Sequence, residues 1–392
     1  MSLALDPHDP ATQQDPFATY ALLRRQHPVL PMPDGTVVVS RHSDVTSLLK
    51  GTAVTSAQEA GAAGAPVAAL AEHSRSVMLA SDPPVHTRRR GAVAPSLAPD
   101  ALRPIRDAVE GRVDALLDQL PTAGEVDLVP TVTARVPAGT LLDLLGLPDV
   151  DEEPVRRWTA AFSDGISPWA DDDGEARAGR ALAELRDHLS PALAARRASE
   201  GGSGLLRTLA LSPDLDEDEA VQQAVLLCTA GLDTTADLLA SAVAATISAG
   251  WWARLAAAPD EVAPALVEET LRWESPVPFV MRSLLEPTTI SGVALDAGAP
   301  LLLAVGAANR DDDVFTDPER FDPDRVARGE RRHLAFGLGV HRCLGAPLAR
   351  LQATVVLRAL AARHPSLALV APTRARPRLF FRGPEAVVVR LG

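Results

Sequence analysis

A mainly α-helical protein with a small β region, folded as one domain over residues 1–392, is what the sequence predicts. Three observations carry this. Long segments, above all 217–249, place apolar residues at helical spacing or on every face. Strand patterns are confined to short runs near 28–40, 286–306 and the extreme C-terminus, each bounded by turn residues. No internal repeat and no Pro/Ser linker divides the chain.

The elements follow in order. Pro28 to Ser40 alternates apolar residues around Asp34-Gly35, a hairpin signal. Residues 53–71 are mostly alanine and glycine around Pro66 and read as a mobile loop or frayed helix. Asp100 to Leu120 has helical spacing and stops at Pro121. Two further helices fill 150–200, separated by Ser167-Pro168 and the acidic run Asp171 to Asp173. Segment 217–249 opens on Asp216, Glu217, Asp218 and Glu219, which complement a helix dipole. Beyond them it is apolar on nearly every face, the mark of a helix running through a core. Another helix ends before Ser275-Pro276, and 286–306 gives short strands with turns at Ser291-Gly292 and Ala297-Gly298. Residues 309–335 have little periodicity and form an irregular ordered loop. A last helix follows Gly345, with Leu348, Leu351, Val355 and Ala359 on one face, and the tail ends in a strand-like run from Ala386.

Composition narrows the function. At 46% hydrophobic and 23% charged the chain is neither disordered nor collagen-like. A net charge of −13 speaks against a general nucleic-acid binder. Cys228 and Cys343 are the only cysteines, so no disulfide scaffold or cysteine-only zinc site exists. The start lacks the basic-then-apolar pattern of a signal peptide. No run reaches ~18 uninterrupted apolar residues, as a membrane span requires. A soluble, cytoplasmic protein without a membrane anchor is expected.

The informative residue is Cys343, in Phe336-Gly-Leu-Gly-Val-His341-Arg-Cys343-Leu-Gly345-Ala-Pro347. Two glycines before it permit a tight turn, Gly345 permits close backbone approach, and Pro347 suits the first turn of a helix. A cysteine at a helix N-terminus has a stabilised thiolate, fit for use as a nucleophile or a metal ligand. An inert buried thiol is the ordinary alternative.

The run Phe336 to Gly345 resembles the haem-binding loop of the cytochrome P-450 superfamily, matching every fixed position of Phe-Gly-x-Gly-x-His-x-Cys-x-Gly. The resemblance implies a single helical prism binding haem b (iron protoporphyrin IX) between the central helix and the cysteine loop, with Cys343 as axial thiolate. Three other motifs occur in family order. Glu269 and Arg272 lie three apart on a helix, by themselves an ordinary surface pair. They are similar to the family's buried Glu-x-x-Arg pair, whose third member would here be Arg320. Ala230-Gly231-Leu-Asp233-Thr234 resembles the oxygen-activation motif, which implies proton delivery by Thr234 and Asp233, with Ala230 beside the macrocycle. The local alternative is that Thr234 bonds back to a carbonyl one turn earlier. His86 and Arg90, four apart, match the family's propionate site, and Arg282 and His341 occupy its other two positions. Arg88 and Arg89 remain unassigned.

By this resemblance the chain is a bacterial-type monooxygenase receiving electrons from ferredoxin and ferredoxin reductase. Residues 320–350 hold seven arginines against three acids, a local +4 suited to an acidic partner, with Arg331, Arg332, Arg342 and Arg350 as the surface candidates. The implied pocket is apolar: Met78, Leu79, Trp169, Leu227, Val277, Phe279 and Val280, joined by Phe162, Ile166 and Ala230. It suits a mostly hydrophobic small molecule, free or tethered to a carrier protein. Oxidative coupling on the same haem stays open as an alternative. A non-catalytic haem sensor is the alternative from another class, and the Asp233-Thr234 pair speaks against it.

Overall fold

The computed structural model describes residues 5–57, 68–199, 203–325, 327–330 and 332–391. Most of the alanine- and glycine-rich stretch at 53–71, and Arg331, therefore lie outside the described residues. Contacts group the chain into two compact units.

The first unit comprises Met1–Thr55, Leu116–Thr133 and Asp237–Gly392. It holds a five-stranded sheet in the order Val29–Pro31, Val37–Val39, Pro300–Leu303, Val280–Leu284, Val54–Thr55. The first two strands form the hairpin expected around Asp34-Gly35, with Val29 opposite Val39. Val37–Val39 then pairs in parallel with Leu301–Leu303, a long-range match that no local pattern announces. All three valines are buried, as a strand covered on both faces requires. Val45, Leu48 and Leu49 of the helix His42–Lys50 pack into the same core. The hairpin Thr288–Ile290 with Val293–Leu295 turns at Ser291-Gly292, both at positive φ. The tail strand Val388–Leu391 lies between Gly124–Asp127 and Ala368–Leu369. Helices Pro259–Trp273 and Ala346–Arg363 pack against each other. Between them in sequence, the described residues of 309–335 are irregular apart from the 3-10 turn Pro323–Arg325.

The second unit comprises Ser56–Ala115 and Ala134–Ala236 and is helical. Glu152–Gly165 packs on Asp172–Ala198, and the break between them falls at the expected Ser167-Pro168. The acidic run has a structural use: Asp171 caps the second helix by accepting the Gly174 N–H at 2.7 Å. The helix Glu217–Ser248 contributes its part up to Ala236 here. It is long and apolar enough to span a membrane by length and composition, yet 72% of its most apolar window is buried within the protein.

Candidate functional site

In the first unit the cysteine loop is shaped by two glycines. Gly337 and Gly339 sit at φ of +62° and +71°, a region that side chains resist. A Cβ on Gly339 would also strike the Leu49 carbonyl, so the loop seats its backbone directly on the end of the helix His42–Lys50. The Cys343 N–H donates to the Phe336 carbonyl at 2.8 Å and closes the loop. The helix Ala346–Arg363 begins immediately after, with Pro347 in its first turn. Cys343 is exposed, whereas Cys228 is buried and its thiol is pushed up to about 12 by desolvation. Only one of the two sulfurs is placed to meet a ligand.

Behind the loop lies a buried ionic cluster. Arg272 donates from Nε and Nη2 to the two oxygens of Glu269, at 2.8 and 2.7 Å. It also donates to the carbonyls of Asn309, Pro318 and Arg320. The third member is Arg325, whose Nε lies 3.2 Å from Glu269 Oε1. This corrects the expectation for Arg320. The Arg320 carbonyl points inward and accepts from both arginines, which leaves its side chain exposed. The 3-10 turn Pro323–Arg325 then brings the next arginine inward. Arg325 is 2% exposed and also donates to the carbonyls of Thr316, Asp317 and Arg320.

Arg282 lies half-buried on the strand Val280–Leu284 and donates to the Met281 carbonyl at 2.7 Å. His341 lies half-buried at the end of the 3-10 turn Gly339–His341.

In the second unit the helix from Glu217 is buried on most sides, but one stripe opens: Leu227, Ala230, Gly231 and Thr234, at helical spacing. Ala230 is exposed, and a Cβ on Gly231 would meet nothing within 4 Å. The Thr234 hydroxyl donates to the Ala230 carbonyl at 2.7 Å, the local bond expected of a mid-helix threonine. Asp233 Oδ2 is buried and has no hydrogen-bond partner among the described residues. His86 and Arg90 share one face of the helix Val85–Val93. Burial, and secondarily the charge of Arg90, hold the His86 imidazole below its ordinary pKa.

Comparison with known proteins decides what this arrangement is. The cytochrome P-450 family model matches residues 261–363, which include both the ionic cluster and the cysteine loop. Vitamin D(3) 25-hydroxylase from Pseudonocardia autotrophica is 34% identical over 91% of this chain and 88% of its own. Cytochrome P-450 monooxygenase PikC from Streptomyces venezuelae is 36% identical over 80% of this chain and 75% of its own. The chain belongs to the cytochrome P-450 family. The solved structure of P-450BioI in complex with an acyl carrier protein ligated to hexadec-9Z-enoic acid superposes with a TM-score of 0.91. It is 25% identical and covers 98% of this chain and 99% of that one. The protein therefore has the cytochrome P-450 fold and is a cytochrome P-450 monooxygenase whose cofactor is haem with cysteine thiolate ligation.

The residues present fit that cofactor. A P-450 needs an accessible thiol, a wall free of bulky side chains and donors for two carboxylates. The first unit offers the exposed Cys343 together with Arg282 and His341, and the second offers the open stripe at Ala230-Gly231 together with His86 and Arg90.

The expected pocket residues divide. Leu79 is 54% exposed, Trp169, Leu227, Val277 and Val280 are half-buried, and Met78 is buried. Phe279 is corrected: it is 0% exposed, with its ring edge-on to Tyr20 at 5.9 Å, so it is core and has no face for a substrate.

Sequence reasoning missed how the segment bearing Met78 and Leu79 is fastened. Arg88 and Arg89, previously unassigned, both grip Glu219, and Arg89 also donates to the Arg75 and Val77 carbonyls. Gln223 accepts from the Met78 N–H and donates to the Ser76 carbonyl, while Gln222 bonds His73 at 2.7 Å. Two adjacent glutamines inside an apolar helix were the available signal.

Proposed function

We propose that Cys343 is the proximal haem ligand of a monooxygenase acting on a mostly hydrophobic substrate, with residues 1–392 working as one domain. The carrying observation is the contrast between the two thiols: Cys343 exposed on a loop its own backbone closes, Cys228 buried and fully protonated near neutrality. Haem, when bound, supplies activation of dioxygen and transfer of one oxygen atom to the substrate, using two electrons and two protons. His86, Arg90, Arg282 and His341 would donate to its propionates, and Ala230, Phe336 and Gly345, small or flat, would accommodate the ring. Asp233 holds and passes a proton: its Oδ2 is buried beside Thr234 and committed to no other group. The Thr234 hydroxyl donates to the Ala230 carbonyl, which leaves both lone pairs on its oxygen able to accept.

The substrate reading rests on the apolar side chains Leu79, Trp169, Leu227, Val277 and Val280. A relative named for vitamin D(3) and a neighbour solved with an acyl-loaded carrier protein both support an apolar substrate, free or carrier-tethered. The relatives are bacterial P-450 monooxygenases of secondary metabolism, which supports a cytoplasmic enzyme. Electrons would come from a ferredoxin and its reductase. Arg320, Arg332 and Arg342 are exposed and suit an acidic partner, whereas Arg350, expected among them, is ion-paired to Glu268 and withdrawn from that role.

The test is the reduced carbon monoxide spectrum. Cys343→Ala should abolish the red-shifted Soret band of thiolate ligation, and Cys228→Ala should keep it. A band surviving in Cys343→Ala would overturn the ligand assignment.

A further inference from the structure

The helix Pro259–Trp273 carries two adjacent glutamates with different uses. Glu269 belongs to the buried cluster above. Glu268 faces the cysteine loop, and two groups meet on its carboxylate. Arg350, on the helix after Cys343, donates through Nε to Oε1 and through Nη2 to Oε2, the latter at 2.9 Å. His333, on the segment before the loop, places Nε2 3.3 Å from Oε2. His333 Nδ1 accepts the Ala335 N–H at 3.1 Å, which assigns the ring proton to Nε2; Nε2 lies against the carboxylate but is not aligned for a hydrogen bond to it. One end of segment 333–350 is thus bonded to this carboxylate through Arg350, and the other end lies against it through His333.

The contacts continue to the thiol. The Arg350 guanidinium lies 4.5 Å over the Phe336 ring, and the His333 ring is 5.9 Å from it. The Phe336 carbonyl in turn accepts the Cys343 N–H. Desolvation opposes ionisation of Glu268, but the neighbouring His333 and the bonds from Arg350 outweigh it and hold the Glu268 carboxyl at about 2.

We propose that Glu268 is a positioning residue for the Cys343 thiolate: it clasps both ends of the loop and compensates the Arg350 charge held on Phe336. The proposal rests on Cys343 being the haem ligand. Its electrostatic signature is a sign. Removing the Glu268 charge leaves the Arg350 cation uncompensated beside the loop, which stabilises the electron-rich reduced site and raises the haem reduction potential. Removing the Arg350 charge leaves an anion and lowers it. A loop that had merely loosened would move both variants the same way.

The experiment is a potentiometric titration of the haem-loaded wild type, Glu268→Gln, Arg350→Gln and the double variant. Opposite shifts are expected, each on the order of tenfold in the ferric-to-ferrous ratio at fixed poise, with the double variant returning toward wild type. Shifts of one sign, or none, overturn the proposal. Should Glu268→Gln not hold haem, Glu268→Asp keeps the charge on a shorter stem. It should leave the potential in place while the thiolate band decays severalfold faster, and an unchanged decay overturns the clasp. A wild type lacking the thiolate band would instead overturn the ligand reading, and the proposal with it.

Discussion

Replacing Arg325 tests most directly how the cysteine loop is supported. Arg325→Ala removes one of the two guanidinium groups on Glu269 and strips the Thr316 and Asp317 carbonyls of a donor. Arg272 and the Asp322 N–H still hold Glu269, and the Arg320 carbonyl keeps Arg272, so the cluster is damaged but not emptied. Breaking a buried pair from one side costs about 3–5 kcal/mol, and ~4 kcal/mol is the central expectation here. In urea, with a slope of roughly 3–4 kcal/mol per molar for a chain of this size, the midpoint should fall by about 1 M. Arg320→Ala is the control. Its exposed side chain gives the cluster nothing, and the change should stay within ~0.5 kcal/mol. Circular dichroism at matched slopes reads both variants. Equal losses in the two, or an Arg325→Ala loss below ~0.5 kcal/mol, would refute the assignment of the third member.

Thr234→Ala should leave haem and substrate binding nearly unchanged while diverting reducing equivalents to peroxide; tightly coupled turnover would remove Thr234 from proton delivery. Glu219 is held at about 2 against an ordinary 4.5, chiefly by its bond from Arg88. A lowered carboxyl contributes stability above its unfolded value that is lost as pH falls toward the folded one. Glu219→Gln should therefore flatten the stability curve between those two values, and an unaltered acid limb in urea melts would contradict it. Reduction by a ferredoxin should slow steeply with salt, since the screening length is ~8 Å at physiological ionic strength. It should slow further in Arg342→Glu and Arg332→Glu, with substrate affinity constant; stopped-flow rates indifferent to salt and charge reversal would place docking elsewhere.

Much of this molecule was legible in its sequence because the relevant constraints are local. The hairpin around Asp34-Gly35 and the turn at Ser291-Gly292 each follow from a few neighbouring residues. The turn ahead of Cys343 follows in the same way from Gly337 and Gly339. What failed was decided at a distance. Choosing Arg325 over Arg320 required knowing which way an irregular backbone turns, and nothing periodic encodes that. Phe279 was a pocket wall only by the family resemblance, which places one there, yet Tyr20, far off in sequence, claims its face. Glu268 was hidden by its neighbour: the Glu-x-x-Arg spacing drew attention to Glu269, and only the packed structure shows the second carboxylate meeting His333 and Arg350.

The parallel pairing of Val37–Val39 with Leu301–Leu303 bears on how the chain is made. On the ribosome the hairpin partner Val29–Pro31 is present from the start, so one edge of the valine strand is covered early. The other edge must wait for about 260 more residues, roughly 13–50 s at a synthesis rate of ~5–20 residues per second. Throughout that interval a short, wholly apolar strand offers unpaired N–H and C=O groups to any neighbouring nascent chain. Slowed translation ahead of residue 300, or truncation there, lengthens the exposure without altering a single native contact. Slower synthesis ahead of residue 300 should therefore lower the yield of folded enzyme.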